Sequence, residues 1–594
     1  MFLVHSNENR LDMKQPTLEQ LQFAVDVAMM RRPGTLLLKN ARLVNVFSLE
    51  IELTHILVAG DLIASVGLFL GDAKADQTID LDGAWVAPGL IDAHLHIESS
   101  LVTPPEYAKA VVPRGVTGIV ADPHEVANVA GIPAIEWMMR ASEGLPMEVW
   151  FTVPSSVPST NMETSGAILD IKDIQLLLQH PQVVGVAELM SFPGFLAASS
   201  QELMKVVVAE ESRKRPDGHA PGVMGAELQA YLAAGVASDH ESTTLAEGKE
   251  KLASGCFLMI REGSATRNLE ALISLVDSKY GDRVGLVTDD RLPHDLLVEG
   301  GVDFLVRKAI ALGADPAYAI RSASFNPANY FGLKRRGAIA PGFQADIVIL
   351  DDLREFKART VYQRGRCVAE NGKLLHSLPK STLDPTVLRT THLPNVTIED
   401  LRLEAKGKLV RVIQAIPNQI LTKELLVAPT VLDGAIIADP TRDLAKLVCI
   451  ERHGHHGAIA VGLTQGFGLK AGAFAGTVAH DHHNCLAVGT NDEDIVAATR
   501  RLQELGGGFV AVKAGNVIAE LGLPIAGLLS DQPLEEVRRS IDELNAAAAS
   551  LGCTIPSPFM ALSFLGLAVI PELRLTDRGL VDVNANRFVA FEVE

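Results

Sequence analysis

The apolar positions change their spacing several times along the chain. Before Arg32, PTLEQLQFAVDVAMM carries apolar residues at helical intervals and predicts a helix. From Thr35 the texture becomes short β-branched runs, LLLKNARLVNV and HILVAGDLIASVG, broken by turn residues. The same texture returns at ADIVILDD and TVYQRGRCVAENG, roughly between Ala338 and Leu375. Two β-rich flanks around a long middle predict one small β-sandwich-like domain, residues 35–84 with 334–383, preceded by a helical lead-in over 1–34.

Residues 85–333 repeat an apolar strand, a polar strand end and a helical segment. The strand ends are LIDAHLHI, VTGIVADPHE, VWFTVPSSVP, VVGVAELM, DGHAPG, VASDHE, CFLMIREGS and VGLVTDD. Between them, segments such as TLAEGKEKLASG and ATRNLEALISLVDSK have helical periodicity. Such a series predicts an α/β fold, a (β/α)8 TIM-type barrel with its active site at the C-terminal rim of the strands. After Leu383 the chain starts again with KGKLVRVIQAIPNQ, and NDEDIVAATRRLQELGGG reads as a helix with acidic residues in its first turn and glycines at its end. Residues 384–594 are therefore expected to form a separate C-terminal α/β domain, of ordinary domain size.

Composition narrows the class of function. With 47% hydrophobic and 21% charged residues the chain is neither disordered nor fibrous. Its 72 acidic against 53 basic residues, with no sizeable basic block, argue against a nucleic-acid partner. Five scattered cysteines without a C-x-x-C pair argue against a disulfide framework or a cysteine-rich zinc site and suit a reducing cytoplasm. The opening MFLVHSNENR lacks the pattern of a signal peptide. The most lipid-like stretch, Phe559 to Ile570 between two prolines, is too short to span a bilayer, so no membrane role is expected.

The chemistry centres on His94-Leu95-His96 at the end of an apolar strand, where residues two apart share a face and both imidazoles can meet one metal ion. Alone the motif is modest, since most such pairs are merely solvated. Four other strand ends supply Glu188, His219, His240 and Asp289. Any one of these alone reads better as a strand-end polar residue, but the set offers four imidazoles and two carboxylates at one rim. That is enough for two metal ions with a bridging carboxylate.

PGLIDAHLHIESS, ADPHEVANV, VAELM, DGHAPG, SDHESTT, MIREGSA, VTDDRLPHDLL, SASFNPA and GAIAPGFQADIVIL together resemble the adenine deaminases of the amidohydrolase superfamily, and the resemblance runs through the C-terminal domain. Many members of that superfamily bridge their metals with a carboxylated lysine on the fourth strand; Glu188 stands there in this chain. The resemblance implies metal binding by His94, His96, Glu188, His219, His240 and Asp289. It implies two divalent ions, Mn2+ or Fe2+ ahead of Zn2+, that supply hydroxide near neutral pH, and Asp289 as the group that takes up the water's proton. Hydrolysis at C6 of adenine to hypoxanthine and ammonia follows as the expected reaction, and a homodimer as the expected assembly. No P-C-x-x-C occurs, which excludes the zinc nucleobase deaminase fold as the source of such an activity.

Other residues keep two readings. Glu125 in ADPHE is either the proton shuttle or a helix N-terminal acid. Glu98, Asp122, Arg261, Glu262 and Asp290 either bind substrate or serve internal pairs. Six of the 17 histidines fall in HGHHG and AHDHHN, the latter holding His480, Asp481 and His483. A surface loop is the plainer expectation for the cluster, and a lid over the active site or an accessory metal site the sharper one. An N-acetylglucosamine-6-phosphate deacetylase, a cyclic-amide hydrolase or an inactive scaffold are the alternative functions. The C-terminal domain and IREGSA argue against the deacetylase, and the complete ligand set against the scaffold.

Overall fold

The computed structural model describes residues 15–593 apart from Ser278, Thr382 and Asn418; the first fourteen residues of the lead-in, with the segment weighed as a signal peptide, lie outside the described residues. The lead-in helix spans Leu18–Ala28. It is opened by a capping box in which Thr17 and Gln20 satisfy each other's backbone N–H groups. Its Ala24 and Val27 pack on a nine-stranded sheet with Leu37, Leu57 and Leu62. That sheet is joined from both flanks of the central region: Trp85–Pro88 pairs antiparallel with Ile347–Leu350 and parallel with Arg42–Leu43.

The central region alternates parallel strands with helices. Its strands are β1 (Leu90–His96), β2 (Val116–Ala121), β3 (Glu148–Val153), β4 (Val183–Leu189), β5 (Arg215–Gly218), β6 (Ser238–Asp239), β7 (Phe257–Arg261) and β8 (Val284–Val287). All eight expected segments thus carry a strand. They form a six-stranded sheet, β5-β4-β3-β2-β1 followed by the short strand Asp289–Asp290, and a three-stranded sheet, β6-β7-β8. The backbone of Thr288 links β8 to Asp289–Asp290, and Ala237 N–H donates to Pro216 O at 3.1 Å between the two sheets. At the join, Thr288 donates its N–H and its hydroxyl to the buried Asp92 carboxylate, at 3.2 and 2.6 Å. Burial pushes the Asp92 acid up to about 7 against those two donors.

The C-terminal residues build a second, mainly antiparallel nine-stranded sheet. The expected helix is present as Asp492–Leu505, with Asn491 accepting from Asp494 N–H and Gly506 at φ 76° closing it. This part does not stand clear of the strands that carry the histidines. One hydrophobic cluster runs from Ile97, Leu101 and Val102 into Phe509, Leu528 and Phe559, and Val102 bridges Ser530. Three C-terminal segments consequently reach the strand ends: 419–421, 480–483 and 564–571.

Candidate metal centre

Six side chains converge where the strands end. His94 and His96, two residues apart on β1, are both buried, and their rings meet edge to face with centroids 5.0 Å apart. His94 stacks on His240 with centroids 4.2 Å apart. Glu188, at the end of β4, turns one oxygen each way: Oε1 lies 3.6 Å from His96 Nε2, and Oε2 lies 2.6 Å from His219 Nδ1 and 3.3 Å from His240 Nε2. Asp289 Oδ1 stands 3.3 Å from His96 Nε2 and 3.8 Å from His94 Nε2. The backbone of Asp289 is held at φ 55°, a left-handed conformation that costs a non-glycine residue free energy and recurs at functional sites.

These residues fit a pair of divalent ions. The donors are imidazoles and carboxylates without a thiolate, a set suited to manganese, iron or zinc. His94 Nε2 is buried with no hydrogen-bond partner, an unusual state for a polar atom that a metal ion would relieve. His96 Nδ1 faces the carbonyl oxygen of Asp122 at 3.1 Å, so an N–H there leaves Nε2 free to ligate. Overlapping groups able to hold a metal ion include His94 with His96 and Asp289, and His94 with Glu188 and His240.

Charge is managed by neighbours. Burial opposes ionisation of Glu188, yet hydrogen bonds from His219 and His240 outweigh it and hold the carboxylate well below its usual range. Asp289 is likewise held down despite burial, by His96 and by Arg261, whose Nη1 donates to Oδ2 at 3.0 Å. Burial above all, with the cation of His240 beside it, pushes His94 well below the ordinary imidazole range.

The remaining sequence candidates divide sharply. Arg261 lines the metal-facing cavity, of about 550 Å³, and also clamps Glu241 with both guanidinium nitrogens. Asp290 lines it too and accepts from Ser99 Oγ; burial and the charge of Asp289 raise its acid. Glu262 takes the internal-pair reading, whereas Asp122 does not line the cavity but stands with His96, His124 and Glu188 in a group that could hold a metal ion. Asp122 is buried against His124 Nδ1 at 2.9 Å. Glu262 is fully buried, accepting from Lys308 Nζ at 2.5 Å and Leu269 N–H at 3.0 Å. Glu262 follows Arg261 on an extended strand, so the two must face opposite sides, and only one of them can face the cavity. Glu98 lines a second cavity of about 230 Å³ instead; its Oε1 accepts from Val126 N–H at 3.3 Å and burial pushes the acid up to about 7.

The two histidine segments also part company. HGHHG is partly exposed, as expected of a surface loop, whereas His480, Asp481, His482 and His483 are all buried, and the plainer expectation fails for AHDHHN. His480 Nδ1 meets Glu125 Oε1 at 2.6 Å and His483 Nε2 meets Glu125 Oε2. His480 stacks on Phe564 with centroids 4.9 Å apart, and Asp481 lines the metal-facing cavity. Burial disfavours charge on both rings, but Glu125 wins at His480, raised to about 9, and loses at His483, lowered to about 4.

Sequence reasoning missed Glu241, whose Oε1 lies 3.4 Å from His240 Nε2, and the cavity wall made by Gln419, Phe564 and Leu567. Glu241 follows His240 directly and a strand-end reading reaches it. The wall residues carry no local signal.

Comparison with known proteins gives the same picture over both parts of the chain. Residues 85–425 match the amidohydrolase family and residues 419–587 the adenine deaminase C-terminal domain. An adenine deaminase of Kosmotoga olearia is 44% identical over 95% of this chain and 98% of its own length. That of Desulfatibacillum aliphaticivorans is 46% identical over 94% and 97%, and that of Halalkalibacterium halodurans 41% identical over 97% and 99%.

Proposed function

Because the chain belongs to the adenine deaminase family of amidohydrolases, we propose that it hydrolyses adenine to hypoxanthine and ammonia at a two-metal centre held by His94, His96, Glu188, His219, His240 and Asp289. The observation that carries this reading is Glu188, which gives one oxygen to the His96 side of the cluster and the other to His219 and His240. Divalent ions bound there would acidify water enough to supply hydroxide near neutral pH. Manganese or ferrous iron is the proposed native metal.

The chain's own groups do the rest. Arg261 holds Oδ2 of Asp289, so that Oδ1 stays turned toward His94 and His96 and can receive a proton from the attacking water. Glu125, which also lines the cavity, delivers a proton to the leaving amine. Phe192, Phe564 and Leu567 give the cavity apolar walls that suit a purine ring. The C-terminal segments 480–481 and 564–571 close the mouth of the cavity as a lid.

The same proposal takes residues 85–333 as a closed eight-stranded barrel, 35–84 with 334–383 as its flanking domain and 384–594 as the C-terminal domain. It takes the enzyme as a cytoplasmic homodimer in purine salvage; among the described residues no helix is long and apolar enough to cross a membrane. The test is ammonia release from adenine by protein reconstituted separately with Mn2+, Fe2+ and Zn2+. Turnover with the first two supports the reading, and silence with all three refutes it.

A further inference from the structure

Glu125 is gripped from the C-terminal part of the chain by two histidines that differ in what they can do. His483 Nδ1 accepts the N–H of Ala479 at 3.1 Å, so that nitrogen carries no proton and Nε2 must be the one that donates to Glu125. The ring is pinned in one neutral tautomer. Its backbone is pinned as well, because the buried guanidinium of Arg452 donates Nε–H to the His483 carbonyl and Nη2–H to Ala526 O at 2.9 Å. His480 is bound differently. Only its Nδ1 is engaged, with Glu125, while Nε2 has no hydrogen-bond partner. Like Glu125, His480 lines both the metal-facing cavity and the second cavity, while His483 borders the second alone.

We propose that His480 is a proton reserve that recharges Glu125 during turnover, and that His483 is a positioning residue that only holds Glu125 in place. The inference rests on the adenine deaminase reading above. It adds that the proton which leaves with the amine is backed by a residue of the C-terminal domain.

In the step, the C6–O bond forms from water and the C6–N6 bond breaks with its electron pair on nitrogen. One water proton ends on ring N1. A proton passes from His480 Nδ1 to Glu125 Oε1 and from Glu125 to the amine, which departs as ammonia, and the second water proton converts the released ammonia to ammonium. The neutral ring regains its proton from solvent once the product has left. The balance is adenine, water and one solvent proton giving hypoxanthine and ammonium. The asymmetry of the two rings fits these roles, since the environment of His480 favours its charged form and that of His483 its neutral form.

The two roles predict opposite results for conservative variants of the full-length, metal-loaded enzyme. His480→Asn keeps an N–H donor where Nδ1 stood but cannot exchange a proton. Its kcat for adenine should fall about 100-fold, the usual scale of one acid–base group, with KM within about 2-fold and two metal equivalents retained. His483→Gln keeps a donor where Nε2 stood and should stay within about 5-fold of wild type. His480→Ala opens into the second cavity, and added imidazole should restore its kcat by about 10-fold or more. The proposal is overturned by His480→Asn near wild-type rate, by His483→Gln as impaired as His480→Asn, or by His480→Ala unmoved by imidazole. A wild-type enzyme silent on adenine would instead overturn the substrate assignment and the proton reserve with it, so the two failures are told apart by the unmutated protein.

Discussion

Glu188→Gln tests the proposed bridging role of this carboxylate, because the amide keeps the shape and removes the charge. Four imidazoles and two carboxylates converge at the centre, so the variant leaves one negative charge where two faced the ions. At about 4 Å and an effective dielectric of about 20, a unit charge and a divalent ion interact by about 8 kcal/mol, twice the figure for two unit charges. Even half of that is nearly a thousandfold in affinity for each ion, since about 1.4 kcal/mol is a factor of ten. The amide oxygen can still ligate one ion, so the expected outcome is loss of at least one metal equivalent and a fall in kcat/KM of about 1000-fold or more. Elemental analysis of gel-filtered protein reads the first and ammonia release the second. A circular-dichroism melt separates both from unfolding. Glu188 touches its partners at the strand ends rather than in the apolar layers, and the fold should survive. Two retained equivalents with ordinary turnover would show that Glu188 does not bridge.

Three further outcomes are expected. Free adenine should be turned over at least about 100-fold more efficiently than AMP, because Arg261, the buried guanidinium among the described residues lining the cavity, is already spent on Glu241 and Asp289; equal kcat/KM values would refute this. Glu148→Gln should cost about 3 kcal/mol at pH 7, since it removes the buried negative charge that Arg336, at 2.5 and 2.8 Å, and Arg364, at 2.6 Å, both donate to. Burial opposes the Glu148 charge, but Arg336 and Arg364 hold its folded pKa below the ordinary 4.5. Its stabilisation is therefore complete above that value and is lost as pH falls through the folded pKa. The gap in melting temperature between wild type and variant should narrow on acidification, and a gap independent of pH would count against the pairing. Chelation should abolish deamination and Mn2+ restore it, as read by ammonia release before and after dialysis against a chelator.

Much of the site was legible because strand ends advertise themselves. A run such as VVGVAEL is apolar until its last residues, and the polar residue that ends it has one place to go, the rim. That logic found His94, His96, Glu188, His219, His240 and Asp289 in one cluster. It failed for Glu262, where the twofold alternation of a strand, applied to Arg261 and Glu262 together, would have sent one of them to Lys308. Asp122, just beyond β2, pairs with His124 and stands close to His96 and Glu188. The burial of AHDHHN was hidden for a different reason. Its histidines are polar by composition, and the partner that takes them out of water, Glu125, lies more than three hundred residues earlier. The apolar stretch from Phe559 to Ile570 shows by its length that it is too short for a bilayer, yet nothing local reveals that it walls a cavity.

That long separation in sequence bears on how the protein comes into being at the ribosome. The six proposed metal ligands all lie before residue 290, whereas His480 and His483 follow nearly two hundred residues later and the wall segment 564–571 later still. On the proposed assignment, the order of synthesis therefore places the metal ligands ahead of the residues that grip Glu125 and wall the cavity.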